Sequence, residues 1–125
     1  MHQKKRAFNV SLTRLLEAVE LGRIIGYIAA HTVTTLFYLI QKDKGKAAAR
    51  AVLTNLLQII KVAPVDQVTI EQALNLELPD FEDAVQIMAA VQGILDCLVT
   101  RYIKDYQPSL LPVIQPVDFV SGYED

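Results

Sequence analysis

At 125 residues and 13.9 kDa the chain is the size of one domain, long enough to bury a single core without disulfides or a structural metal. Its net charge of −2 excludes capture of nucleic acid by a general cationic surplus, so any surface for RNA must be local. A hydrophobic fraction of 52% and a mean hydropathy of +0.28 exceed what so small a globule hides, which predicts that some apolar surface meets a second subunit or a partner.

The single cysteine, Cys97, lies in an apolar run and has no partner for an internal bridge, as expected of a small hydrophobe in a reducing compartment. No uninterrupted apolar run reaches the ~18 residues of a membrane span. The basic opening HQKKRAFNV runs into SLTRLLEAVE, where Arg14, Glu17 and Glu20 interrupt what would be a secretory apolar region. The expected location is the cytoplasm. An organellar presequence is the alternative, although acids appear early for one.

Helical and extended signals alternate along the chain. Leu12, Leu15, Leu16 and Val19 recur at spacings of three and four, predicting a helix from Ser11 to Leu21 closed by Gly22. RIIGYIAA is β-branched and aromatic and predicts a buried strand. HTVTTLFYLIQK places Val33, Leu36, Phe37 and Ile40 on one helical stripe, and KDKG predicts a turn. KAAARAVLTNLL is a strong helix by propensity, with Leu53, Leu56 and Leu57 facing inward. QIIKVAPV predicts a strand ended by Pro64, and Asp66 caps a helix over QVTIEQALNL. Pro79 and Asp80 open a helix that runs to about Gly93; CLVTR is a strand, and LLPVIQPVDFV is a last short strand with a helical turn.

Strands separated by helices of this length imply crossover connections. The expected class is α/β, three-layer, with a mainly parallel central sheet flanked by helices. Ligands of such sheets gather at the carboxyl ends of the strands, where VTRYIKDY should lie. One strand is missing from the pattern: no β-type run precedes Asn9, although an open parallel sheet usually begins with a central strand.

The most informative stretch is PDFEDAVQ, with Asp80, Glu82 and Asp83 within four residues. One reading is a helix cap: Asp80 accepts from first-turn N–H groups, Asp83 completes a box-like arrangement, and acids there complement the helix dipole. The other is a cation site. Asp105 follows the strand after this helix, and acids from separate elements at one sheet edge repel unless a cation neutralises them. Hard oxygen ligands select Mg²⁺ or Mn²⁺, which would support hydrolysis of a phosphodiester. Spacing alone leaves both readings open.

Three segments carry a family resemblance. LLEAVELGRIIGYIAAHTVTTLFYLI, LPDFEDAVQIMAAVQGILDCLVTRYIKDY and LLPVIQPVDFV together resemble a PIN domain of the VapC-type toxin group, compact Mg²⁺-dependent ribonucleases with a parallel, Rossmann-like sheet. The central segment is the most specific, with its acidic helix start and its strand ending in Thr-Arg and Asp-aromatic. The resemblance implies a single PIN-like domain over residues 1–125, N-terminally truncated relative to the family. It implies metal ligands at Asp80, Asp83 and Asp105, with Asp83 and Asp105 as the catalytic pair and Glu82 as an assisting acid. Arg101 and Thr35 would contact substrate. Implied partners are RNA, a small antitoxin protein and a second copy of the chain, with no membrane.

Two acids of the family pattern are not met. The first follows a strand reading like Leu-Asp-Thr-Asn, which lies before this sequence begins. The second belongs to the helix near His31, where Thr35 stands with Thr34 beside it. Tyr102 also replaces a common asparagine. A hydroxyl is neutral and a poor substitute for a carboxylate, so the expectation is an incomplete site, from a start that lies upstream or a degenerate copy, with weak Mg²⁺ binding and little or no nuclease activity. The alternative is a PIN-fold interaction module that has lost catalysis.

Other residues have plainer explanations. Arg101 and Lys104 lie near the expected site, Arg101 to hold a phosphate or pair with a carboxylate. His31 begins a helix without a second histidine nearby, and Thr32, Thr34 and Thr35 are substrate contacts or caps. The basic Lys4 to Arg6 cluster belongs to a solvated terminus. No glycine-rich phosphate loop and no Ser-His-Asp set is present.

Overall fold

The computed structural model describes residues 14–100, 103–106, 110–116 and 118–119. Helix α1 covers 14–20 of these residues and ends as its glycine predicts. Gly22 takes φ +76°, the Gly22 N–H donates to Val19 and the Arg23 N–H to Ala18, closing the last turn with paired backbone bonds. Strand β1, Tyr27–Ala29, leads directly into α2, Ala30–Lys44. Gly45, at φ +93°, turns the chain into α3, Lys46–Leu56. Glycine is required there because an L side chain rarely adopts that backbone. The KDKG turn is therefore one residue wide: Lys42, Asp43 and Lys44 are the last residues of α2.

Strand β2, Lys61–Ala63, pairs parallel with β1 in the register Tyr27 to Lys61, Ile28 to Val62 and Ala29 to Ala63. The α2–α3 hairpin supplies the crossover a parallel pair requires. Both strands are shorter than the β-branched runs that announced them. In the next helix, α4 (Gln67–Ala73), Asp66 accepts from the Thr69 N–H at 3.0 Å while the Asp66 N–H donates to the Thr69 hydroxyl at 3.2 Å. This reciprocal cap holds the Asp66 carboxyl below the usual carboxylate range, the Thr69 backbone bond being the largest cause.

Helix α5, Phe81–Gln92, is the centre of the core. Ala84, Val85, Ile87, Met88, Ala89 and Ala90 are all buried, so the helix is enclosed on most of its circumference. Ala73 of α4 packs with Ala84, Val85 and Met88, and small residues let the two helices approach closely. Beyond α5 come β3 (Leu98–Val99), a 3₁₀ turn (Ile103–Tyr106) and β4 (Val113–Ile114). Strands β3 and β4 are parallel, Leu98 opposite Val113 and Val99 opposite Ile114. The pairing is thus parallel throughout the described residues, in two two-stranded units, β1 with β2 and β3 with β4.

One inward-facing expectation, Leu57, is corrected by the packing. Tyr38 is 60% exposed and Leu57 41% exposed, whereas Leu53 is buried. Helix α2 contains no fully buried residue and packs chiefly on α3, with a smaller contact to β1. The close of α5 also differs from its sequence signal. Gly93 keeps a right-handed backbone, and the left-handed residue is Ile94, at φ 55° and 89% exposed. No described helix is long and apolar enough to cross a membrane.

Candidate functional site

The site is built on the first turn of α5. Asp80 is its N-cap, accepting from the Glu82 N–H at 2.8 Å and the Asp83 N–H at 3.3 Å. Its capping role is therefore real. It consumes one oxygen of Asp80 and none of Asp83. Glu82 and Asp83 stand in the first turn, where the exposed N–H groups favour negative charge.

Asp83 is the acid under most electrostatic stress. Burial pushes its carboxyl above the usual carboxylate range, and the charges of Asp80, Asp105 and Glu82 push it further. The Tyr106 hydroxyl beside it acts the other way. Thus the 3₁₀ turn after β3 brings Asp105 into the neighbourhood of the α5 head. Tyr106 is the anchor of that turn: its ring is buried, and its hydroxyl lies 2.9 Å from Gln86 Oε1 as well as beside Asp83. Desolvation and the Asp83 charge push the phenol far upward, so it remains a donor.

Glu82 looks the other way, towards α2. The Thr35 hydroxyl donates to Glu82 Oε1 at 3.0 Å, and His31 Nε2 lies 3.1 Å from the Glu82 carbonyl oxygen. A carbonyl only accepts, so Nε2 carries the proton and Nδ1 is left as an acceptor in the neutral ring. His31 Nδ1 and Thr32 Oγ1 are buried without a hydrogen-bond partner among the described residues. Thr34 is exposed and bonds back to the His31 carbonyl at 2.7 Å. Beside this contact lies a cavity of about 290 Å³. Its polar wall is His31, Thr34, Thr35 and Glu82, and its apolar wall is Ile70, Phe81 and Val85.

The structure brings Asp80, Glu82 and Asp83 together at the head of α5, with Thr35 of α2 bonded to Glu82 and Asp105 near enough for its charge to act on Asp83. Arg101 and Tyr102 lie outside the described residues, as do His2 and the Lys4 to Arg6 cluster. Lys104 is exposed on the 3₁₀ turn. Tyr106, Gln86 and Phe81 are parts of the site that sequence spacing did not single out. Tyr106 was legible only as the aromatic residue after an acid; nothing in its spacing pairs it with a helix 20 residues earlier.

A divalent cation prefers hard oxygens, and carboxylates at Asp83, Asp105 and Asp80 have that chemistry. The arrangement is less complete. Among the described residues no three His, Cys, Asp or Glu side chains are grouped to hold a metal ion. The two observations agree physically. Charges perturb one another over several ångströms, whereas every ligand must reach within about 2.0–2.6 Å of an ion. The Thr35 hydroxyl, where the resemblance expects an acid, is turned to Glu82. These residues make an acidic edge, not a closed cage.

The PIN domain family model matches residues 3–104. This chain belongs to the PIN domain family. Membership accounts for the parallel strands and the helical crossover, and it places the chain in an α/β fold of nuclease type, a family commonly dependent on divalent metal. Strand β4, beyond the matched residues, still pairs with β3. Neither the curated proteins nor the solved structures compared with the chain include a match.

Proposed function

We propose that this PIN domain is a ribonuclease-type protein of the toxin–antitoxin kind whose acidic edge holds Mg²⁺ or Mn²⁺ weakly and cleaves RNA slowly or not at all. Asp83 is the central acid, Asp105 its partner from the 3₁₀ turn, Asp80 the third oxygen donor, and Glu82 an assisting acid at most. The observation that carries this reading is the setting of Asp83. Burial is the largest cause of its raised carboxyl, the Tyr106 phenol opposes it, and the charges of Asp80, Asp105 and Glu82 add to it. Such mutual repulsion costs stability and is retained where a cation or a reacting group uses it.

The same setting argues for weak catalysis. Thr35 is neutral, and its hydroxyl is engaged by Glu82, so this position adds no charge to a cation's cage. Asp80 starts α5, and the Tyr106 hydroxyl donates to Gln86 Oε1, which fastens the turn that carries Asp105 to the helix that carries Asp83. A bound cation would supply activation of water at that edge. Arg101, two residues beyond β3 in the sequence, is proposed to meet the phosphate backbone. A small antitoxin would cover the acidic edge, and a second copy of the chain would cover the apolar surface that includes Tyr38, Leu39 and Val52.

A second reading is a non-catalytic interaction module, favoured by the Thr35–Glu82 bond that closes the edge on the α2 side. Titration with Mn²⁺ followed by thermal melting separates the two. Saturable stabilisation that is lost in Asp83→Asn supports the metal-binding reading; no stabilisation supports the module. Robust Mg²⁺-dependent RNA cleavage abolished by Asp83→Asn would replace weak catalysis with an active enzyme.

A further inference from the structure

The cavity between the heads of α2 and α5 has a chemical bias that the acidic edge alone does not explain. Its side-chain hydrogens are already used. The Thr34 hydroxyl donates to the His31 carbonyl at 2.7 Å, the Thr35 hydroxyl to Glu82 Oε1 at 3.0 Å, and His31 Nε2 to the Glu82 carbonyl at 3.1 Å. What these side chains offer a visitor is acceptors: the carboxylate of Glu82, which has capacity for several bonds, and the hydroxyl lone pairs. A ligand there must bring donors. The opposite wall is apolar, and Phe81 on it is 46% exposed. A planar, apolar body with a donor edge meets both demands. Asp80, Glu82 and Asp83 keep free anions away from the rim, so such a ligand's phosphates lie outside it.

We propose that this cavity of about 290 Å³ binds one unstacked guanine of single-stranded RNA, the ring lying on Phe81 and its N1–H and amino group donating to the Glu82 carboxylate. Guanine is the base that presents two adjacent donors on its pairing edge, the arrangement a carboxylate accepts as a pair. Glu82 precedes Asp83 in the same helical turn, so a captured base sets which phosphodiester approaches the acidic edge. This inference rests on the RNA-directed reading above and adds to it a base preference.

The test is fluorescence anisotropy of the full chain with 2′-O-methyl pentanucleotides UUGUU, UUIUU and UUAUU in buffer containing EDTA. Inosine lacks only the amino group, and its oligonucleotide is expected to bind about tenfold more weakly than the guanine form, adenine more weakly still. Glu82→Gln should erase the difference with its melting temperature preserved, and Phe81→Ala should weaken all three alike. Equal affinity for the three, no binding, or a guanine preference that survives Glu82→Gln overturns the inference. So does binding of N-acetylarginine amide by a chain that ignores all three oligonucleotides, which would assign the cavity to a basic protein partner. The inosine comparison does not depend on any protein variant. Because the RNA is uncleavable and the metal chelated, loss of the nuclease reading leaves a guanine preference standing, and cleavage without that preference sinks this inference alone.

Discussion

The α4–α5 pair and the α2–α3 hairpin are both pairs of consecutive helices, and they solve the burial problem in opposite ways. Helix α5 buries six residues on several sides, and both α4 and α5 start from side-chain caps. Helix α2 buries none fully and has no side-chain cap; it packs chiefly on α3, and the pair leaves Tyr38, Leu39 and Val52 in solvent. The acidic head stands on the well-packed pair, and its Thr35 contact reaches across from the loosely covered one. Self-repelling acids need a rigid base, because a helix start that frayed would let them spread apart. The hairpin faces no such demand and is free to present surface.

The largest expected effect breaks this contrast most directly. Ile87 is 0% exposed, so Ile87→Ala should cost about 2–5 kcal/mol in urea unfolding, enough to threaten folding of a small domain. The matching truncation on the hairpin, Leu39→Ala at a 55% exposed position, should stay within about 0.5 kcal/mol. A larger loss at Leu39 that grows with protein concentration would mean that a second copy covers the hairpin.

Next in size is the end of α5. Ile94 is β-branched and left-handed, and its N–H bonds the Val91 carbonyl while that of Leu95 bonds Ala90. A glycine there keeps both bonds without the steric penalty on Cβ, so Ile94→Gly should raise stability by about 1 kcal/mol in denaturant titration.

The smallest effect concerns the acidic head. Because the folded state raises the proton affinity of Asp83, stability is lost as pH rises from the ordinary carboxylate value towards the elevated one, and stays lost above it. Asp83→Asn should therefore stabilise the chain at neutral pH, by less than about 1 kcal/mol given solvent screening of a half-buried group. The gain should vanish below the ordinary carboxylate value of 3.8, where the native acid is protonated in both states. Melting curves across pH check this. A destabilised Asp83→Asn at every pH would mean that the carboxylate is a structural cap, like Asp66.

Local chemistry wrote much of this molecule legibly. The caps at Asp66 and Asp80, the turns at Gly22 and Gly45 and the apolar periodicity of α5 each depend on residues a few positions apart, so their physics is contained in short stretches. The acidic stretch raised the choice between a cap and a cation site. Its answer is divided: Asp80 caps, while Asp83 stands free of the cap and under repulsion. What no stretch contained is the pairing of distant elements. Tyr106 reaching Gln86, Thr35 turning to Glu82, Leu57 facing solvent and the cavity beside Phe81 follow from how helices and strands pack, since many alternative packings satisfy the same local rules. Local rules chose the elements and their ends; long-range contacts decided which acids repel, which hydroxyls are taken, and where a donor-bearing ligand finds acceptors.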